Sequence, residues 1–114
     1  MDRVLLRGLR SHLPEGTSVV ALERGRADAL GEMRKTTAVL TDDSLFLATS
    51  VRIKTVLTVV PRRDIRSVEV TEEHVAVIRF DDYAKARARV IRLDFKKSGD
   101  RADIIEQLRP ARPA

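Results

Sequence analysis

Seven short runs of β-branched and aliphatic residues follow one another between residues 17 and 95, roughly ten residues apart. Turn-forming or charged residues separate the runs, so each has the length of a single strand. This spacing predicts an antiparallel sandwich or barrel and argues against βαβ units, in which a helix separates successive strands. The expected strands cover residues 17–24, 34–41, 45–50, 55–60, 65–71, 74–80 and 88–95.

The last run alternates as a half-buried strand does. Apolar side chains occupy every second position, and charged side chains occupy positions between them. The two faces hold Ile91, Leu93 and Phe95 on one side and Arg92 and Asp94 on the other. The apolar run 56–60 lacks this alternation and also fits a strand that is buried on both faces.

Asp42, Asp43 and Ser44 separate two expected strands and predict a tight hairpin. Aspartate is frequent in turns because its carboxylate accepts hydrogen bonds from nearby backbone amides. A pair of catalytic carboxylates is the alternative interpretation. Since the sequence signals no catalytic partner, we interpret both aspartates as turn residues.

Amphipathic segments flank the strands and predict a helix at each end, about residues 2–13 and 99–109. Asp2 is a candidate N-cap for the first helix, and Ser98 or Asp100 for the second. Pro14 and Pro110 end them. The apolar stripes are formed by Leu5, Leu6, Leu9 and Leu13, and by Ile104, Ile105 and Leu108.

The length of 114 residues predicts one domain over residues 1–109, followed by a disordered tail over 110–114. The chain has no cysteine, which excludes disulfides, thiolate metal sites and a cysteine nucleophile. No apolar run reaches the length of a secretory signal or a membrane span. These features predict a soluble, cytoplasmic protein, with peripheral membrane association as an alternative.

Four sequence stretches occur in the order found in pleckstrin-homology-like domains. They are LPEGTSVVAL (13–22), AVLTDDSLFLA (38–48), VVPRRDIRSVEV (59–70) and the closing pair VIRLDF and ADIIEQLRP. On these residues the chain resembles the bacterial PH domain family and its GRAM-like relatives. The resemblance implies a mainly β fold with helices (α+β), in which a seven-stranded, partly closed antiparallel barrel is capped by a C-terminal helix. It also implies a binding or adaptor module.

No motif for catalysis or cofactor binding is evident. The two histidines, His12 and His74, fall in different expected elements, so they do not indicate a metal or acid–base site. The sequence has no nucleophile elbow, phosphate-binding loop or dinucleotide fingerprint. We therefore expect a protein that is not an enzyme and uses no cofactor or metal.

The net charge of +5 comes from 22 basic and 17 acidic residues, and 17 of the basic residues are arginine. Arginine suits phosphate and carboxylate partners, although a codon-biased genome produces the same excess. Three binding functions remain open. The first is protein–protein or homo-oligomeric assembly, with the chain itself or an unknown protein as partner. The others are binding of anionic lipid or phosphate and, least favoured, nucleic-acid binding, for which aromatic platforms are scarce.

The resemblance supplies candidate ligand-binding residues. Phosphoinositide-binding PH domains place basic residues around the first inter-strand loop, and here Thr36 and Thr37 replace the end of that motif. Asp28 and Glu32 in the same loop are expected to repel phosphate. The candidates in and near this loop are Arg24, Arg26, Arg34 and Lys35. A second basic group near the last inter-strand loop comprises Lys85, Arg87, Arg89 and Arg92.

Overall fold

Seven antiparallel strands build the fold in a computed structural model that describes Leu9, residues 13–72 and 75–95, Ile104, Gln107 and Leu108. The strands lie within three residues of the expected runs. Within this part of the chain a 3-10 turn, Arg62–Asp64, joins β4 to β5. The strands are β1 (Val19–Ala27), β2 (Arg34–Thr41), β3 (Ser44–Val51), β4 (Lys54–Pro61), β5 (Ile65–Glu72), β6 (Val75–Asp82) and β7 (Arg87–Asp94).

The strands form one sheet in the order β4-β3-β2-β1-β7-β6-β5. Hairpins connect each strand to the next from β1 through β4, and again from β5 through β7. β1 also pairs with β7, and this pairing unites the two halves of the sheet. That last pairing is short and joins Arg26 to Asp94 and Ala27 to Leu93. Register shifts in β1 and β5 mark bulges, which bend strands and curl a sheet on itself.

The inward faces of both halves share a single core. Leu40, Leu47, Ile78, Ile91 and Phe95 are among its almost fully buried side chains. The predicted alternation in the last strand is therefore confirmed, because its apolar face points into this core. Ile104 and Leu108 join the same core from outside the sheet.

A second, smaller cluster lies on the outer face of β1–β4. Val39, Phe46 and Ala48 project from this face, and Leu9 and Leu13 pack against them. The first half of the sheet is consequently buried on both faces over part of its area, which explains why its strands show little alternation.

The expected helices at the two ends need correction. Among the described residues the elements with established bounds are the seven strands and the 3-10 turn, so the expected α+β class is corrected to a β fold for this part of the chain. Leu9, Ile104, Gln107 and Leu108 have α-helical backbone, but most of the segments 2–13 and 99–109 lies outside the described residues, as do the proposed caps. Leu9, Leu13, Ile104 and Leu108 are buried as their spacing predicts.

The first strand continues three residues beyond its predicted end, through Gly25 to Ala27. Charged neighbours made this segment resemble a loop. Gly25 instead lies where β1 meets β7, and a Cβ there would lie 2.8 Å from a ring carbon of Phe95. The glycine therefore permits the close approach of two backbones that closes the barrel.

The hairpin between β2 and β3 is held by Thr41. Its hydroxyl lies 3.1 Å from the backbone nitrogen of Ser44 and 3.1 Å from the Asp43 carboxylate. The Asp43 carbonyl accepts a hydrogen bond from the Arg62 backbone at 2.9 Å. These contacts give Asp43 a local role in the turn and tie the hairpin to the 3-10 turn after β4.

Candidate functional site: the loop end of the barrel

Three connections lie at the same end of the barrel, and together they are called the loop end. They are the β1–β2 loop (28–33), the β3–β4 turn (52–53) and the β6–β7 turn (83–86). Antiparallel pairing places the start of β2 beside the end of β3, through Thr36 and Thr49. Both basic groups expected from the sequence lie in or next to these connections.

The first basic group follows the paired strands β1 and β2 into their loop. Arg26 lies directly opposite Lys35, and both side chains are exposed. Arg24 lies one pleat further from the loop on the same face, opposite Thr37. Arg34 differs from the others because it forms an ion pair with Glu32, which neutralises its charge locally.

The second basic group divides into exposed and internal members. Lys85 and Arg87 are exposed, and neither forms an ion pair among the described residues. Arg92 is also exposed, but on the opposite face of β7. Arg89 is largely enclosed, with 21% of its side chain accessible.

Arg89 brings the two groups together. Its Nη2 donates to the Ala29 carbonyl at 2.8 Å, and its Nη1 donates to the Asp82 carboxylate at 3.1 Å. Its guanidinium carbon lies 5.6 Å from the centroid of the Phe80 ring. One side chain therefore connects the β1–β2 loop with the end of β6. Arg89 lies two and four residues before Ile91 and Leu93, so it shares their inward face of the strand, and this spacing could be read from the sequence.

The carboxylates of the loop end accept hydrogen bonds from within the protein. The Arg92 backbone N–H donates to Asp28 at 2.7 Å, and Glu32 pairs with Arg34. Asp82 accepts from Arg89 and from the Lys85 backbone at 3.2 Å. The positive charge of Arg34 offsets the expected repulsion of phosphate by Glu32, whereas Asp28 accepts from a neutral backbone N–H and keeps its negative charge.

The Asp82 carboxyl is held in its charged form. Partial burial by itself favours the neutral acid, but the hydrogen bonds from Arg89 and Lys85 and the positive charges of both residues outweigh it. The net result is a lowered pKa for Asp82. The neighbouring acid, Asp81, is paired with Arg66, and this pair raises the pKa of Arg66.

Sequence reasoning missed the apolar tips of the loop end and the basic residues beside one of them. Ile53 is 100% exposed, Tyr83 is 69% exposed and Leu30 is 40% exposed. Ile53 lies at the tip of a two-residue turn between Arg52 and Lys54. The sequence signal that could have revealed this exposed tip is an apolar residue between two basic residues at the point where two strands meet.

The described residues hold neither a cluster of metal ligands nor a membrane-spanning helix. No group of three or more potential metal ligands occurs there. No helix in that part of the chain is long and apolar enough to cross a membrane. His12 and His74 lie outside the described residues.

Comparison with solved structures identifies the architecture as PH-like. A crystal structure of the DH/PH domains of p115-RhoGEF matches with a TM-score of 0.62 and 13% sequence identity, covering 100% of this chain and 36% of that one. A structure of its N-terminally truncated linker-DH/PH domains matches with a TM-score of 0.62 and 12% identity, covering 95% and 33%. This chain thus spans about a third of each matched chain.

At this identity the likeness shows the fold alone. No protein-family model and no curated protein matches the chain. The narrower resemblance to the bacterial PH domain family therefore stays a prediction, as do the single-domain boundaries and the ligand-binding residues.

Proposed function

We propose that this chain is a non-catalytic PH-like binding module that docks its loop end on an anionic membrane surface at the cytoplasmic side. The observation that carries the proposal is the division of charge at the loop end. Glu32 and Asp82 are paired with arginines, whereas five exposed cations form no ion pair among the described residues. These cations are Lys35, Arg52, Lys54, Lys85 and Arg87.

Electrostatic attraction supplies the first part of the binding energy. Each Lys or Arg near an anionic bilayer contributes about 1 kcal/mol. Arg26 is exposed beside Lys35 and adds to the positive field, while its Nη2 donates to the Met33 carbonyl at 3.3 Å. Surface attraction of this kind falls steeply as salt is added, because the Debye length is only about 8 Å at physiological ionic strength.

The Ile53 side chain supplies the second part of the binding energy. Removing a fully exposed isoleucine side chain from water contributes about 1.5–3 kcal/mol. Arg52 and Lys54 on either side have aliphatic stems that can lie along the bilayer interface while their charges remain among the headgroups. Tyr83 is a second amphipathic side chain suited to the interface. Because this apolar contribution is not screened by salt, binding is retained at salt concentrations that weaken attraction by charge alone.

Self-assembly is a second candidate, supported by the edge strand β4. This strand ends the sheet order, and residues 55–60 carry no charge. Charged residues commonly protect edge strands from pairing, and an uncharged edge is open to strand addition by a second copy. Val59 on this strand is 46% exposed. Nucleic-acid binding is less favoured, since Phe46, Phe80 and Phe95 are buried and offer no stacking platform.

Co-sedimentation with lipid vesicles tests the proposal. Purified protein is mixed with neutral and with phosphatidylserine-containing vesicles at low and physiological salt, and its mass is measured by light scattering in the same buffers. We expect binding to the anionic vesicles only, weakened but retained at physiological salt. Absence of binding to anionic vesicles at low salt would refute membrane docking, and a mass above the monomer would then favour self-assembly.

A pair of charge-reversal variants locates the contact. Lys54→Glu at the loop end should weaken binding by about tenfold or more, given two units of charge change. Arg63→Glu is the matched control, because Arg63 is 88% exposed in the 3-10 turn at the other end of β4. Equal losses in both variants would indicate non-specific attraction to the whole protein.

A further inference from the structure

We propose that Arg89 is a positioning residue that couples the β1–β2 loop to the β6–β7 turn, so that both loops face the same surface. This inference rests on the proposed membrane docking for its binding consequence, but the coupling itself concerns the protein alone. Arg89, Ala29 and Asp82 are called the latch. The sequence separation between Arg89 and Ala29 is 60 residues, so the connection exists only in the folded protein.

Both terminal nitrogens of Arg89 donate, one to the Ala29 carbonyl in the β1–β2 loop and one to Asp82 at the end of β6. A guanidinium presents its donors in a rigid plane, which allows one side chain to hold two partners at fixed positions. A lysine ammonium is a compact point charge on a flexible stem and does not reproduce that geometry.

Each hydrogen-bond partner of Arg89 belongs to one of the two loops and supports it. Asp82 also accepts a hydrogen bond from the Lys85 backbone, and Lys85 donates the same N–H toward the Asp82 carbonyl at 3.1 Å. These contacts define the β6–β7 turn that presents Arg87. On the other side, Ala29 is buried, and it lies between Asp28 and the exposed Leu30. Releasing Arg89 thus loosens the supports of both loops.

Arg89 itself is not placed to contact a ligand directly. It lies opposite Phe80 in the β6–β7 register and packs over that ring, with its charge directed to Asp82. Arg87, two residues earlier, lies opposite Asp82 at the start of β7 and is exposed. The two arginines therefore have different roles: Arg87 contacts the surface, and Arg89 sets the orientation of the loops.

Hydrogen exchange of backbone amides tests the latch without any lipid. In Arg89→Gln and Arg89→Lys we expect faster exchange at Gly31 and Lys85, whose amides bond to Asp28 and Asp82. Amides between β2 and β3 should exchange at the wild-type rate, which shows that the fold is retained. Unchanged exchange at Gly31 and Lys85 in both variants overturns the coupling, whatever the protein binds.

Vesicle binding of the same variants tests the consequence. We expect both Arg89 variants to lose affinity several-fold while the salt dependence stays that of the wild type, because the number of contacting charges is unchanged. Arg87→Gln should instead reduce the salt dependence and leave loop exchange unchanged. Arg63→Gln should change neither measurement.

The outcomes separate the two proposals. If the wild type fails to bind anionic vesicles, membrane docking is wrong, and hydrogen exchange alone decides the coupling. If the wild type binds and Arg89→Lys binds equally well with unchanged exchange, the latch is wrong and membrane docking stands. Faster hydrogen exchange in the two loops of the Arg89 variants, together with lower affinity for anionic vesicles, supports both the coupling and membrane docking.

Discussion

Gly25 and Phe95 meet where β1 closes against β7, and a Cβ on Gly25 would lie 2.8 Å from a carbon of the Phe95 ring. It would approach the Asp94 carbonyl oxygen still more closely. The ring is 1% exposed and belongs to the core, so it has little room to move. This contact makes the glycine a requirement of barrel closure.

We therefore expect Gly25→Ala to destabilise the protein by about 1–3 kcal/mol, the usual cost of overpacking a core. Urea unfolding followed by circular dichroism measures the change. Ser50→Ala, an exposed position on β3, is the control and should change stability by less than about 0.5 kcal/mol. A Gly25→Ala variant as stable as the wild type would mean that β1 and β7 can separate at little cost.

Ile53→Ala should weaken binding to anionic vesicles by about tenfold, because it removes most of the apolar surface that we propose enters the bilayer. Its stability should stay that of the wild type, since the side chain is 100% exposed. Vesicle co-sedimentation and thermal unfolding measure the two effects. Val20→Ala is the control, because Val20 is also exposed, at 38%, but lies near the start of β1. Loss of affinity in both variants would show that the effect is not specific to the tip.

Arg87→Glu and Arg89→Glu should have different effects. Arg87 is exposed, so we expect Arg87→Glu to weaken association and to leave stability near that of the wild type. Arg89→Glu places a carboxylate beside Asp82 and breaks two hydrogen bonds, so we expect it to destabilise the protein by at least about 2 kcal/mol. Melting temperatures of the two variants distinguish them, and a larger drop for Arg87→Glu would contradict the assignment.

The free energy of unfolding should depend on pH through the ionisation of Asp82. Its pKa is lowered in the folded protein, so its contribution is fully present above the unfolded pKa of about 3.9 and is lost as the pH falls through the folded pKa. The coupling between Asp82 and Arg89, measured with Asp82→Asn, Arg89→Gln and the double variant, should be present at neutral pH. It should shrink below about pH 4. Coupling that stays constant into the acid range would show that the interaction does not need a charged Asp82.

The positions of the strands along the chain could be read from the sequence because they depend on local patterns. The run 34–41 matches β2 in full, and the alternation of Ile91, Leu93 and Phe95 identified the inward face of β7. Short apolar runs with turn residues between them leave few alternatives to an antiparallel β fold. Burial of Leu9 and Ile104 also followed from the spacing of apolar residues.

The roles of individual charges were decided by the tertiary structure. Arg87 and Arg89 are two residues apart with the same side chain, and nothing local separates an exposed cation from one that is hydrogen-bonded internally. The difference comes from Ala29, which is 60 residues away from Arg89. Asp28 likewise accepts a hydrogen bond from the backbone of Arg92, 64 residues away. The sequence by itself determined approximately where the strands run and which side chains of the last strand face the core, because both follow from local periodicity. Which charges remain available at the loop end depends on strand pairing across the whole chain, and only the folded structure provides it.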